Sequence, residues 1–460
     1  MNNLSAAAAN NVGKLVKLST IAGLLVTTAG LSGCASFAAV SSPESAGGTT
    51  NAYDRPAESY YVGRRETASP EEIVLDDEST IEDYFRIALQ NNPSLQAAEQ
   101  RWRASAEHPR QARSLPDPRL SLQADTSFQS REYSLSQTFP WFGKRALRGR
   151  AEEASVRIEA ALYQARKLEI REDLRNAYGE YYYLSRAIDT TRTNLELLEY
   201  FLEIAKRRFE AGEVSRADVI RVEVETEKLR DRLAELTDQR RPRVAALNRV
   251  LGRPRSASLP WPVDLPEEHP IPLPESALME QAIQNNPRLQ ALRAEVDRRE
   301  EQKALAEMEY WPDITVGIMR MEEGMGGMSD DINAAMISIN LPLWRNKYDA
   351  GVKEAGAGLE AGRYALSDRH YEIEANLENA LFSFRDAERR TALYQDHLLP
   401  RAEESLRVSE NAYRAADIDI IELLDAQREL LNFELAMERS KTDRFQAIGE
   451  IEKLVGRFFQ

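Results

Sequence analysis

The chain has 460 residues, 42% of them hydrophobic and 29% charged, with a formal net charge of -15 from 60 basic and 75 acidic side chains. A mean hydropathy of -0.52 excludes a multi-span helical membrane protein, while the length suffices for a large folded body. No block of Lys and Arg is long enough to track phosphates, which makes nucleic acid a poor partner.

The first apolar run, Leu18 to Leu31, follows Lys14 and Lys17. It is too short for a comfortable bilayer span, so residues 1–33 read as a secretory signal peptide. The run ends in Leu31-Ser32-Gly33-Cys34, which resembles the lipobox of bacterial lipoproteins. There small residues admit the signal peptidase and the thiol takes a thioether-linked lipid, so Cys34 is the expected lipidation site. It is the chain's single cysteine, which leaves no disulfide, thiolate metal cage or cysteine nucleophile in the folded part. Residues 34–70 are rich in Ser, Ala, Gly and Pro without periodicity and read as an N-terminal tether.

Beyond the tether the chain is a duplication. Ala88-Leu-Gln-Asn-Asn-Pro-Ser-Leu-Gln-Ala97 recurs as Ala282-Ile-Gln-Asn-Asn-Pro-Arg-Leu-Gln-Ala291. Leu115-Pro116-Asp117 is matched by Trp311-Pro312-Asp313, Phe139-Pro140-Trp141 by Leu341-Pro342-Leu343-Trp344, and Arg208-Phe209-Glu210-Ala211-Gly212 by Ala412-Tyr413-Arg414-Ala415-Ala416. The first repeat spans 71–251 and the second 275–460. Between them, 252–274 carries seven prolines, Pro254 to Pro274, a density that forbids a helix interior or a central strand and marks a linker.

Each repeat has the same order of elements. A short helix, Ile81 to Gln90 or Glu275 to Gln284, stops before Asn-Asn-Pro because the residue preceding a proline is pushed out of the helical region. A second helix begins on Pro93 or Pro287, where the missing N–H costs nothing. The period then changes from 3.6 to 2. Leu120, Leu122 and Ala124 alternate with Arg119, Ser121, Gln123 and Asp125, and Tyr133, Leu135 and Phe139 with Ser134, Ser136 and Thr138. In the second repeat Ile314, Val316 and Ile318 alternate with Thr315, Gly317 and Met319, and Ala335, Ile337, Ile339 and Leu341 with Met336, Ser338 and Asn340. Four strands result, each of the length a tilted strand needs to cross a bilayer.

After Pro140 and Pro342 the helical period returns. Leu174, Ala177, Tyr181, Leu184, Ile188, Thr191, Leu195, Leu198, Leu202, Ala205 and Phe209 step by three and four in a coiled-coil seam. A helix of about 68 residues is about 100 Å long, more than a compact globular domain holds. Four strands cannot close a barrel, and open sheet edges are not tolerated in lipid, so the chain is expected to oligomerise; three copies would supply twelve strands around a polar lumen. Trp141, Phe142, Trp311 and Trp344 fall at strand–helix junctions, where an aromatic belt meets headgroups or where ordinary junction packing places them.

The tandem repeat, the Asn-Asn-Pro helix starts, the proline-flanked strand pairs and the signatures Phe209-Glu-Ala-Gly-Glu-Val-Ser-Arg-Ala-Asp218 and Tyr413-Arg-Ala-Ala-Asp-Ile-Asp-Ile-Ile-Glu422-Leu-Leu-Asp425-Ala-Gln427 together resemble the TolC-like outer-membrane factor family over nearly all of Glu71 to Gln460. The resemblance implies a mainly α, internally duplicated fold in which long helical hairpins, forming an α-barrel, continue a transmembrane β-barrel built from four strands per chain in a homotrimer. It implies a non-enzymatic exit duct in the outer membrane of a Gram-negative bacterium, opened by a periplasmic adaptor working with an inner-membrane pump of the resistance-nodulation-division type. It also implies a periplasmic gate with Tyr413 as the gating tyrosine and Glu422 and Asp425 as an acidic pair on one helix face, ringing the entrance when repeated by three-fold symmetry. The family's gating arginine position holds Ile418 here. A favourable anionic first helical turn would explain Glu422 and Asp425 without a pore. The turns with Gly212, Glu213, Val214 and Ser215, and with Ala416 and Asp417, are the expected adaptor docking tips; Gly212 also suits a left-handed C-cap. The competing reading is a periplasmic coiled-coil lipoprotein with a structural or adaptor role, which the four amphipathic strands argue against.

No catalytic or cofactor motif is present. His108, His269, His370 and His397 lack ligand-spaced partners, and no phosphate-binding Gly-rich loop or His-Glu-x-x-His occurs. Five of the nine methionines, Met319, Met321, Met325, Met328 and Met336, crowd one strand pair and its loop. Alternation puts Met319, Met321 and Met336 on the lumen side. Thioethers are soft ligands for Cu(I) or Ag(I), and methionine is also a flexible apolar filler.

Overall fold

The computed structural model describes residues 75–76, 78–124, 130–266, 274–325 and 328–459. Cys34, the signal segment, the tether, Asp125 and His269 lie outside the described residues. Each half starts with a helical pair, α1 (Ile81–Asn91) and α2 (Pro93–Arg113), repeated as α6 (Glu275–Asn285) and α7 (Pro287–Met308). The break at Asn-Asn-Pro is held by the second asparagine of each triplet. Asn92 Oδ1 accepts from the Ser94 N–H at 3.0 Å and its Nδ2 donates to the Val250 carbonyl at 2.8 Å. Asn286 repeats this with the Arg288 N–H at 2.9 Å and the Leu454 carbonyl at 2.9 Å. One amide thus caps the following helix and grips the carbonyl end of its own repeat.

The glycines that end the repeats complete the clasp. Gly252 and Gly456 are left-handed, with φ of 67° and 82°. A Cβ on Gly252 would stand 2.4 Å from the Asn91 carbonyl oxygen, and one on Gly456 2.6 Å from that of Asn285. No other residue type fits there without moving backbone.

Strands β1 (Arg119–Ala124), β2 (Ser130–Phe139), β3 (Ile314–Met325) and β4 (Met328–Ile339) form one antiparallel sheet in that order. The central pair, β2 with β3, joins the two repeats, with Ser134 opposite Met319 and Phe139 opposite Ile314. A second tie lies at its foot. Lys144, fully buried at the start of α3, donates to the Trp311 carbonyl at 2.9 Å and to Asp313 at 3.0 Å. Asp313 also accepts the Trp141 N–H, and the Trp141 and Trp311 rings stack with centroids 5.2 Å apart.

From this junction α3 (Lys144–Glu210) runs 67 residues without interruption and returns through α4 (Arg216–Asp238) and α5 (Arg240–Leu251). Its counterpart is divided into α8 (Arg345–Leu393), a π turn (Tyr394–Leu398) and α9 (Leu399–Arg414), followed by α10 (Ile420–Val455). The wider turn precedes Pro400, which has no N–H to give to the carbonyl four residues back. Among the described residues no helix is long and apolar enough to cross a membrane.

The core is a series of clusters strung along the helices. Near the repeat starts Tyr84, Phe85, Leu174, Tyr178, Tyr181, Leu251 and Phe445 pack together. At the far end Leu198, Phe201, Val219, Val222, Leu406, Tyr413, Leu423 and Leu424 do so. Beside the first cluster a buried ion network crosses from α3 to α10, with Glu452 accepting from Arg171 at 3.0 Å and also receiving the Phe459 N–H at 2.7 Å. Arg171 reaches Glu82 as well, at 2.9 Å, so three segments share one charge cluster.

Truncating Asn286→Ala removes a cap and strands a carbonyl, and is expected to cost roughly 2 kcal/mol, read as a lowered thermal midpoint by circular dichroism. Burial pushes the Tyr178 phenol up to about 12, helped by Asp264, and burial does the same for Tyr182, to about 12, helped by Glu438. Both hold their proton more tightly when folded. Their stabilisation is therefore complete below pH about 10, the unfolded phenol value, and is lost as pH rises through 12. Unfolding midpoints measured from pH 8 to 12 should fall in that window, and less steeply in a Tyr178→Phe/Tyr182→Phe variant.

Candidate functional site: hairpin tips and the two faces of the sheet

The tips are two tight helical reversals. In the first, the Gly212 N–H bonds the Phe209 carbonyl at 2.9 Å and the Glu213 N–H that of Arg208 at 2.8 Å, with Gly212 at φ 79°. The second copies it, Ala416 N–H to Tyr413 at 3.1 Å and Asp417 N–H to Ala412 at 2.9 Å. Here the left-handed position is held by Ala416, at φ 66°, the single non-glycine residue with positive φ among the described residues. Ser215 and Asp218 form a reciprocal capping box that starts α4, and Asp419 caps α10 through the Ile421 N–H at 2.8 Å. Gly212, Glu213, Ser215, Ala416 and Asp417 are exposed and Val214 is half-buried, so the turns between α3 and α4 and between α9 and α10 face solvent.

The expected gate residues are not one cluster. Tyr413 is 1% exposed, packed inside the tip core, while Glu422 and Asp425 face outward from α10 because Leu423 and Leu424 take its inner face. Asp425 is paired with Arg428 at 2.7 Å, and Arg428 also lies 3.5 Å from Glu225 on α4. Arg428 thus partly answers the charge of Asp425 but is shared with Glu225. Ile418 packs against the tip core.

Tyr413 is instead held by Arg208, a residue sequence reasoning missed. The guanidinium lies over the Tyr413 ring at 4.7 Å, donates to the Tyr413 carbonyl and pairs with Glu213 at 3.0 Å. Burial raises the Tyr413 phenol, with Arg208 pulling the other way, and its hydroxyl has no hydrogen-bond partner among the described residues. The signal was present in the repeat: Arg208 stands where the second half has Ala412.

In the sheet, pairing sorts the side chains. Leu120, Leu122, Leu135, Phe139, Val316, Ile318, Ile337 and Ile339 share one face and are exposed. Ser121, Gln123, Glu132, Ser134, Ser136, Thr138, Thr315 and Ser338 share the other, and Met319, Met321 and Met336 stand among them. Met325 and Met328 pair across the strand ends. Phe142, Trp311 and Trp344 are exposed at the sheet's lower rim, Phe142 by 82%. Of the histidines, His108 and His370 sit beside Glu152 and Glu374 at 3.5 and 3.3 Å, and His397 lies in the π turn. Among the described residues no three His, Cys, Asp or Glu side chains converge as metal ligands.

A sheet with one exposed apolar face and one polar face, continued by helical hairpins of this length, defines a channel protomer in which a short β-barrel passes into an α-helical tube. The family model for the outer membrane efflux protein matches residues 85–253 and 278–457, and the chain belongs to that family, whose members are channels. It is 24% identical over 392 residues to the cobalt-zinc-cadmium resistance protein CzcC of Cupriavidus metallidurans, covering 82% of this chain and 90% of that one. Its fold is shared with the outer membrane protein VceC of Vibrio cholerae, at TM-score 0.70, 18% identity and coverage of 83% and 97%. The MtrE outer membrane channel of Neisseria gonorrhoeae aligns at TM-score 0.68, 20% identity and coverage of 82% and 89%.

Ala416→Gly should relieve the strained turn and stabilise the chain by about 1 kcal/mol, whereas Gly212→Ala should destabilise it by a similar amount. Thermal midpoints of the two single variants, compared with the parent, check both signs.

Proposed function

We propose that this chain is one third of a homotrimeric, passive exit duct of a tripartite efflux pump in the outer membrane. The observation that carries the reading is the pair of open sheet edges. β1 and β4 each have one neighbour, while the exposed apolar face suits lipid, where unpaired backbone groups are not tolerated. Pairing β4 of one copy with β1 of the next removes every edge, and twelve strands in a closed ring leave a water-filled lumen lined by the serine and threonine face. A second unpartnered surface runs in the same sense down the helices: Tyr364, Tyr371 and Phe382 on α8 are exposed and suit a neighbouring copy.

The tips, at Gly212 to Ser215 and Ala416 to Asp417, are the surface for a periplasmic adaptor coupled to an inner-membrane pump of the resistance-nodulation-division type. Glu422 and Asp425 stand beside them at the entrance, and Arg208 with Tyr413 ties the two hairpins of one protomer. Cys34 carries the lipid that anchors the N-terminus, after removal of residues 1–33. The chain performs no catalysis in this reading; the pump selects and drives the cargo.

Full-length protein purified from outer membranes in mild detergent is expected to have the mass of three copies by light scattering and to form ion-conducting pores in planar bilayers. Radiolabelled palmitate should enter the parent and be lost in Cys34→Ser. A monodisperse single-copy particle that forms no pores would overturn the duct, and an unlabelled parent would overturn the anchor alone.

A further inference from the structure

The exposed apolar row of β4 does not stop where the strand does. Ile337 and Ile339 are followed at the same two-residue spacing by Leu341 and Leu343, all four exposed, and Trp344 ends the row at 78% exposure. Arg345 and Lys347 come next, on the first turn of α8. Along the chain, hydrocarbon gives way to an indole and then to two cations within little more than one helical turn. The aromatic foot of the sheet lies beside them: the Tyr310 and Tyr348 rings are 5.5 Å apart, and Lys347 Nζ is 5.5 Å from the centre of the Tyr348 ring.

The basic side chains at this end are unanswered. Further along the same helices arginines meet carboxylates: Arg363 pairs with Glu300 and Glu360 at 2.9 Å each, Arg369 with Glu372 at 2.6 Å, and Arg150 on α3 with Glu301 at 2.9 Å. Among the described residues Arg345 and Lys347, both exposed, have no such partner. Asp349, one turn beyond Arg345, accepts the Tyr310 hydroxyl instead, and Asp313 and Glu309 are taken by Lys144, at 3.0 and 3.6 Å. A helix start ordinarily collects acids, yet α8 has none in its first turn. Two cations held away from carboxylates, at the end of an uncovered apolar row, are placed for an anion that carries hydrocarbon with it.

We propose that Trp344, Arg345 and Lys347 form a phospholipid site that takes the phosphate of an anionic headgroup, phosphatidylglycerol in preference to a zwitterionic lipid. The row from Ile337 to Leu343 lies along the acyl chain, the indole sits at the boundary, and the cations stand just beyond it, at the depth of the phosphate. A headgroup with its own ammonium answers less of the two positive charges. Because the pair is exposed, the preference weakens with salt. The inference rests on the duct reading for placing the sheet in a bilayer, and on the uncovered row and the unpaired cations for the site itself.

The test is lipid selection by full-length protein in dodecyl maltoside. Protein is mixed with equal amounts of phosphatidylglycerol and phosphatidylcholine carrying the same acyl chains, gel-filtered, and its co-eluting lipid extracted and counted by mass spectrometry. The parent is expected to keep phosphatidylglycerol at least about fivefold over phosphatidylcholine at low salt, the ratio falling at high salt. Arg345→Gln/Lys347→Gln should bring the ratio close to equality, whereas Arg363→Gln/Arg369→Gln, the same loss of charge lower on α8, should leave it at the parent's value. Leu343→Ser/Trp344→Ser should lower the amount of both lipids. Equal retention by the parent, an unchanged ratio in Arg345→Gln/Lys347→Gln, or the same fall in both charge variants would overturn the site. So would loss of the preference in excess inorganic phosphate, the mark of a free-phosphate site, or loss of the three-copy mass in Arg345→Gln/Lys347→Gln, which would assign the pair to a neighbouring copy. Light scattering and planar-bilayer recordings on the parent separate the two readings. A conducting three-copy particle without lipid preference keeps the duct and loses the site, while lipid preference on a single-copy particle that does not conduct keeps the site and loses the duct.

Discussion

Hydrogen bonding of the backbone governs what this sheet can be. In water an edge strand finds solvent partners; in a bilayer each unpaired N–H or C=O costs several kcal/mol. The four strands supply partners on both sides for β2 and β3 and on one side for β1 and β4. The apolar exposure of Leu120, Leu122, Ile318 and Ile337 and the two open edges are what the proposed assembly in lipid would cover.

Duplication supplies the rest of the architecture with few inventions. The same asparagine–glycine clasp closes both repeats, each asparagine gripping the end of its own half through a backbone carbonyl and each glycine yielding to an asparagine backbone. The repeats are fastened to each other along their length, among other contacts by the β2–β3 ladder, the Lys144–Asp313 pair with its stacked tryptophans, the Arg171–Glu452 network and Arg208 on Tyr413. Differences between the halves are equally telling. The second long helix widens ahead of Pro400, and its tip accepts a left-handed alanine where the first has glycine.

Much of this was legible beforehand. Asn-Asn-Pro marks a helix break by local sterics alone, alternation of Ile314, Val316 and Ile318 sets a strand, and a seam stepping by three and four sets a long helix, because each signal depends on near neighbours. The tip was harder to read. Tyr413 looked like an entrance residue but is buried, since its environment is made by Arg208, two hundred positions away, and by α4 and α10. Glu422 and Asp425 were legible as an acidic pair on one helix face, and the structure adds that Arg428, one turn beyond, bonds Asp425.

The amino-acid order by itself determined the repeat, the element types and their sequence along the chain, and the polar and apolar faces of the strands, for those follow from periodicity and from proline and glycine chemistry acting locally; the channel class came from the resemblance of its motifs to a known family. Only the tertiary structure decided the strand order that leaves β1 and β4 open, the buried partners of Lys144 and Glu452, and the seat of Tyr413 under Arg208. These are contacts between segments far apart in the chain, and their energies come from burial and pairing that no local pattern encodes.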